Sequence, residues 1–197
     1  MKRNVTTSHK VVDDLNAKGK TVFYFAGHCG NWELSPNAAA LASKVPLAGA
    51  YKKLSNPFFD EYMRKLRSRF GCNMIEMAQT PRFVITQKAP FNFCFIADQT
   101  PVTVEANAWI PFLNRETLFF IASSKLAKKI NASIVYGTMH RKKRGFYEYE
   151  FELLVEDASE YSENEILSMY VKRLEHDIQA SPDNWLWSHR RWKRSKF

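Results

Sequence analysis

Thr21-Val22-Phe23-Tyr24-Phe25-Ala26-Gly27-His28-Cys29-Gly30-Asn31-Trp32-Glu33 is the stretch on which the fold turns. Its first six residues are mostly β-branched or aromatic and lie between Lys20 and Gly27, the pattern of a buried strand. His28 therefore stands just past a strand's carboxyl end. Residues 33–43 carry apolar side chains at helical spacing, with Pro36 tolerated in the first turn and Asn31 placed to cap it. The imidazole thus lies in a strand-to-helix connection, and beyond the carboxyl ends of an open α/β sheet is where ligands bind. His28 on the loop and Glu33 in the first helical turn suit a general base and the carboxylate that fixes its tautomer. A satisfied loop histidine beside a glutamate that only favours a helix N-terminus is the competing reading. Placement alone leaves both open.

Working outward, residues 46–51 and 91–97 read as further buried strands, the second ending in Asp98-Gln99. Two buried strands that each end in an ionisable group are expected to be neighbours in one sheet. Helices are expected over residues 8–18, 58–70, 81–88, 117–129 and 162–179, the last announced by the capping box Ser162-x-x-Glu165. In the helix at 58–70, Phe59, Met63, Leu66 and Phe70 form the apolar face. Residues 73–77 form a short strand and 104–112 a loop. Strands follow at 132–139 and 146–155, joined by a basic turn at 141–145. The strand at 146–155 alternates Tyr147, Tyr149, Phe151 and Leu153 with Glu148, Glu150 and Glu152, so it is an antiparallel or edge strand. The whole is an α/β fold in one domain, 1–197: a mostly parallel central sheet flanked by helices, with an antiparallel edge strand.

Twenty-nine Lys and Arg against 20 Asp and Glu give a formal charge of +9, which draws anionic partners without choosing among nucleic acid, lipid head groups and an acidic carrier protein. Cys29, Cys72 and Cys94 are odd in number and lack a C-x-x-C pair, so neither a disulfide framework nor a zinc site is indicated. Cys29, beside His28, is either a nucleophile or a small filler residue. No run approaches the roughly eighteen apolar residues that span a bilayer, and Met1-Lys2-Arg3-Asn4 is not followed by an apolar signal core.

Gly-His-x-Gly-Asn-Trp-Glu, with its His-x-x-x-x-Glu spacing, resembles the first motif of the lysophospholipid acyltransferase superfamily. The Asn-Trp-Glu form is similar to that of the bacterial lipid A late acyltransferases, the lauroyl and myristoyl transferases. Further segments follow in the family's order, from about Thr21 to Arg194. Tyr51-Lys52-Lys53-Leu54-Ser55-Asn56-Pro57 with Arg67-Ser68-Arg69 matches the second motif, departing at Lys53 where proline is usual. Asp98-Gln99 matches the third, whose aspartate lies near the histidine. Trp109 to Asn114 keeps the pattern of a loop, with Asn114 in a glycine position that tolerates positive φ. The close, Pro182-Asp183-Asn184-Trp185-Leu186-Trp187-Ser188-His189-Arg190-Arg191-Trp192-Lys193-Arg194, matches the family's ending.

The resemblance implies a glycerolipid acyltransferase-like fold with His28 as general base and Glu33 as its partner. It assigns Arg67, and with it Arg69, to acceptor phosphate, for which a guanidinium fork is suited. A structural ion pair at Arg67 and an Asx-turn at Asp98 are the alternatives. Asn31, Asp98, Gln99 and Arg115 complete the substrate-binding set. The tail, Trp beside Lys and Arg, is a membrane-interface belt or a stacking surface for single-stranded nucleic acid. The basic turn at 141–145 is a lipid-surface contact or simply solvated.

Acyl transfer is the function that follows: from an acyl carrier protein thioester, or coenzyme A thioester, to a hydroxyl of a lipid A precursor, with no metal and no other cofactor. The same chemistry on a lysophospholipid or aminolipid, and a basic nucleic-acid-binding module, are the alternatives. Partners are then an acidic carrier protein, an anionic glycolipid and a membrane surface, with no nucleic acid. The expected location is the cytoplasmic face of the bacterial inner membrane, peripherally bound, the family's N-terminal anchoring helix being absent from the chain as written.

Overall fold

The computed structural model describes residues 5–102, 104 and 107–194. Nine strands and six helices follow one another as β1 (Val5–Ser8), α1 (Lys10–Ala17), β2 (Val22–Ala26), α2 (Ser35–Ala42), β3 (Leu47–Tyr51), α3 (Pro57–Ser68), β4 (Asn73–Glu76), α4 (Thr80–Thr86), β5 (Asn92–Ile96), β6 (Ala108–Phe112), β7 (Arg115–Phe119), α5 (Ala122–Lys129), β8 (Ser133–Lys143), β9 (Phe146–Val155) and α6 (Glu163–Ala180). Seven strands form one sheet in the order β1-β9-β8-β2-β5-β3-β4. Every pairing is parallel except β8 with β9, so β9 and the outermost β1 run against the rest at one margin.

β2 lies at the centre, and each of its residues is buried. Its side chains alternate between two cores, as a strand covered on both faces must. Val22 and Tyr24 meet Val12 and Leu15 of α1 and Ala38 and Ala39 of α2. Phe23 and Phe25 meet Leu126 of α5 and Tyr170 and Leu174 of α6. The expected neighbour relation holds: β2 pairs with β5 in a register that sets Ala26 opposite Ile96. From β2 the chain leaves through α2 to β3 on one side, and from β5 it leaves through α5 to β8 on the other. The two connections part at the carboxyl ends of β2 and β5, opening the crevice that such a switch of direction creates.

β1 is a strand where none was expected, with α1 beginning only at Lys10, and three further segments depart from the expected elements. Residues 108–119 form a two-stranded antiparallel hairpin rather than a loop and the start of a helix, and α5 begins only at Ala122. Leu113 and Asn114 take φ of 50° and 60°, the two-residue turn that returns one strand directly onto the next. Positive φ at Asn114 was legible, but the helical spacing of Leu118, Ile121 and Leu126 disguised a strand whose Thr117, Leu118 and Phe119 are all buried. Second, β8 continues to Lys143, so the basic segment 141–145 is largely strand and the turn proper is Arg144-Gly145. Third, the apolar face of α3 is not packed inward: none of its residues is buried, and Phe59 and Leu66 are exposed. The capping box of α6 forms as read, with Ser162 Oγ accepting from Glu165 N and Glu165 Oε2 accepting from Ser162 N.

Candidate active site

His28 and Asp98 each stand just beyond their strands, and the register that sets Ala26 against Ile96 sets them side by side. His28 Nδ1 lies 2.5 Å from Asp98 Oδ1, and the His28 backbone N–H donates to Asp98 Oδ2 at 3.0 Å. Trp185 Nε1 donates to the same Oδ2 at 2.8 Å. The carboxylate, 1 % exposed, is thereby held by three N–H groups, while the imidazole remains 12 % exposed. Burial alone would raise the Asp98 carboxyl. The hydrogen bond and charge of His28, then the Trp185 indole, outweigh it and hold the group below the ordinary aspartate value. Its contribution to stability is therefore complete above the unfolded pKa and is lost as pH falls through the native one.

Backbone geometry fixes this arrangement. A Cβ on Gly27 would stand 2.4 Å from Leu174 Cδ1, so the bare position leaves room for that side chain of α6 against the loop. Gly30 takes φ of 56° and donates its N–H to Asn184 O, while Leu186 N–H donates to His28 O. The segment after α6 thus lies strand-like along the motif loop and delivers Trp185 onto Asp98.

Glu33 does not hold His28. Both its oxygens accept from Arg67, Nε to Oε2 at 2.9 Å and Nη2 to Oε1 at 2.6 Å. The expected His28–Glu33 pair is corrected on this point: the 3-10 turn at Trp32–Leu34 carries Glu33 toward α3, and β5 supplies the imidazole's carboxylate instead. Glu33 still belongs to the site, through a chain of contacts. The Arg67 guanidinium sits 5.6 Å from the Trp32 ring, and Trp32 packs edge-on against His28 at 4.5 Å. The structural ion pair weighed for Arg67 is present, and the Asx-turn reading of Asp98 gives way to a carboxylate bound to the imidazole.

The remaining expected site residues are spread more widely. Asn31 precedes the 3-10 turn, but its side chain makes no capping bond; only its carbonyl accepts, from Leu34 N. Gln99 is exposed beside Asp98. Arg69 is exposed, 5.7 Å from the Phe70 ring, and lines a cavity of about 390 Å³ with Val5, Glu33, Leu34, Asn37, Leu66 and Phe70. Arg115 lies 5.2 Å from the Trp192 ring. Burial, then the charges of Asp98 and Asp177, push the Cys29 thiol up to about 12, which favours its reading as a small filler residue.

The tail is divided: Trp185 and Arg191 are buried, while Pro182, Asp183, Leu186, Trp187, Ser188, Arg190 and Lys193 are exposed. Trp185 is buried, Trp192 Nε1 donates to Thr117 Oγ1, and Arg191, 2 % exposed, donates to Leu118 O at 2.6 Å with its guanidinium 4.3 Å from the Phe119 ring. Burial lowers that guanidinium to about 10, still charged at neutral pH. Only Leu186 and Trp187 of this segment's large apolar side chains face solvent. Trp185 is the site residue that sequence reasoning missed, because its indole reads as one of several interfacial aromatics until the tail is seen to return to β2.

Residues 3–194 match the family model of the bacterial lipid A biosynthesis acyltransferases. The chain belongs to that family. No curated protein matches it. Among the described residues no group of three or more His, Cys, Asp or Glu side chains is placed to hold a metal ion, and no helix is long and apolar enough to cross a membrane.

Proposed function

We propose that the chain moves a fatty acyl group from an acyl carrier protein thioester to a hydroxyl of a lipid A precursor, with His28 as general base and Asp98 as its orienting carboxylate. The observation that carries this reading is the 2.5 Å contact of His28 Nδ1 with Asp98. An Nδ1–H committed to a carboxylate leaves the Nε2 lone pair as the proton acceptor. Among the described residues no side chain hydrogen-bonds Nε2, which leaves it to the acceptor hydroxyl.

Nε2 takes the hydroxyl proton as the oxygen attacks the thioester carbonyl carbon. A C–O bond forms, the tetrahedral intermediate collapses, the C–S bond breaks, and the departing sulfur recovers the proton from Nε2. Asp98, kept ionised by its donors, stabilises the imidazolium in between. Glu33 serves as the brace of Arg67. It occupies Nε and Nη2 and directs the guanidinium toward Trp32, leaving Nη1 for an acceptor phosphate oxygen. The cavity walled by Val5, Leu34, Leu66 and Phe70 adjoins Glu33 and suits an acyl chain. The net charge of +9 favours both an acidic carrier protein and an anionic glycolipid, at the cytoplasmic face of the inner membrane.

Incubation of the chain with acyl carrier protein or coenzyme A thioesters, and with a lipid A precursor or a lysophospholipid, tests this by mass spectrometry. A new ester on the precursor, made faster from carrier protein, is expected. Acylation of the lysophospholipid alone would move the acceptor to another lipid class, and no ester on any acceptor would remove the proposal.

A further inference from the structure

We infer that α3 and the tip of the β8–β9 hairpin form a two-pronged docking surface for an anionic lipid bilayer, seated on either side of the cavity beside Glu33. This deepens the proposed function, on which it rests only in setting the acceptor in a membrane.

α3 is amphipathic in an inverted sense. Its semi-buried stripe is Asp60, Met63 and Arg67, and Arg67 is the residue turned to the motif loop. The stripe turned to solvent is aromatic: Phe58 is 73 %, Phe59 55 % and Tyr62 57 % exposed. The two phenylalanine rings meet edge to face at 5.5 Å. Large apolar side chains left out together on a helix mark an interaction site rather than chance exposure. Leu54, just ahead of the helix, is exposed as well, and Lys52 and Arg64 flank the stripe, with Lys65 paired to Glu61. Aromatic rings bordered by Lys and Arg are the composition of a helix that lies in a lipid interface.

The helix starts where β3 ends and carries Arg67 to Glu33, so it lies along the rim that holds His28 and Asp98. The second prong rises from the same rim. β8 is level with β2 where Tyr136 pairs Phe25, and it continues in strand to Lys143 before turning back. That overhang ends in Arg141, Lys143 and Arg144, all exposed, with the Lys143 ammonium 4.5 Å from the centroid of Phe146. Lys142, between them, is paired with Glu148. Val5, a wall of the cavity, joins this hairpin by pairing with Tyr147, while Leu66 and Phe70 wall it from α3. The cavity mouth therefore lies between two elements of the same chemistry, each with an aromatic apex and a cationic border. Positive charge on both prongs complements a surface of anionic head groups. A protein partner would meet two separated protrusions, whereas a bilayer meets both at once.

Co-sedimentation with vesicles tests the inference. Vesicles containing phosphatidylglycerol are compared with phosphatidylcholine alone, using wild type, Phe58→Ser/Phe59→Ser/Tyr62→Ser and Arg141→Glu/Lys143→Glu/Arg144→Glu. The aromatic variant is expected to partition at least ~10-fold less on phosphatidylglycerol vesicles, since burying aromatic area supplies the non-ionic part of the affinity. The charge-reversed variant should fall to the level wild type shows on phosphatidylcholine. Both should keep wild-type circular dichroism and, on detergent-dispersed acceptor, wild-type turnover. Equal sedimentation of wild type and both variants would overturn the inference. So would a wild type that ignores both kinds of vesicle, including the case in which these residues instead retain acyl carrier protein. Vesicle binding that follows the variants, with no acyl transfer to any acceptor, would leave this surface standing and remove the proposed reaction.

Discussion

Asp98→Asn is expected to lower kcat for acyl transfer by about 10³ to 10⁴ with little change in KM, close to the loss from His28→Ala. The reason lies in the donor count. Two oxygens of Asp98 receive three N–H groups: the ring and backbone of His28 and the indole of Trp185. An asparagine offers one oxygen and one NH2. If its oxygen faces the backbone N–H and the indole, its NH2 meets Nδ1, and the ring must move its proton to Nε2, where no lone pair remains for the hydroxyl. If it flips, two donors face the NH2. Either way the base is lost or displaced. His28→Ala removes the same step, so the double variant should be no slower than His28→Ala alone, as for residues that act as a unit. Steady-state rates with saturating acceptor check both statements, and additive losses would contradict them.

Trp185→Phe is expected to cut kcat by roughly 10- to 100-fold, because loss of one donor lets Asp98 and the imidazole shift from their working geometry. It should also cost about 1–3 kcal/mol of stability by leaving a buried carboxylate short of a hydrogen bond. Phenylalanine keeps most of the packing against Phe112 and Trp192, whose ring centroids lie 5.8 and 6.1 Å away, so the effect isolates the indole N–H. Trp187→Phe is the control. Its indole donates to Pro182 O and its ring is 51 % exposed, so turnover and melting temperature should stay near wild type. Thermal unfolding and turnover of the two variants side by side check this. Equal effects would mean that bulk aromatic packing of the tail, and not the bond to Asp98, is what matters.

Much of the fold could be read because its strands are short, apolar and end in polar residues, as buried parallel strands do. β2, β5 and their adjacency came from that pattern, and it put His28 and Asp98 at one rim. What could not be read is direction in three dimensions. His28 and Glu33 are close in sequence, and the eye pairs them; yet a 3-10 turn aims Glu33 at Arg67, and the imidazole's carboxylate arrives from far along the chain. The tail misled for a related reason. Trp185, Trp187, Arg191 and Trp192 look alike as composition, while the backbone bonds of Gly30 and His28 to residues 184–186 decide which of them is interior. In α3 the period of the apolar residues was right but the depth was not: Met63 and Phe70 are partly buried while Phe59 and Leu66 are exposed, because periodicity gives a face without saying what lies opposite.

Nuclear magnetic resonance of the His28 imidazole, labelled with 15N, tests most directly the claim that Asp98 and not Glu33 holds the base. Wild type should show an Nδ1–H proton shifted far downfield by a short bond to a carboxylate, with Nε2 unprotonated above the imidazole's titration. That signal should persist in Glu33→Gln and vanish in Asp98→Asn. Its loss in Glu33→Gln, with survival in Asp98→Asn, would contradict the account.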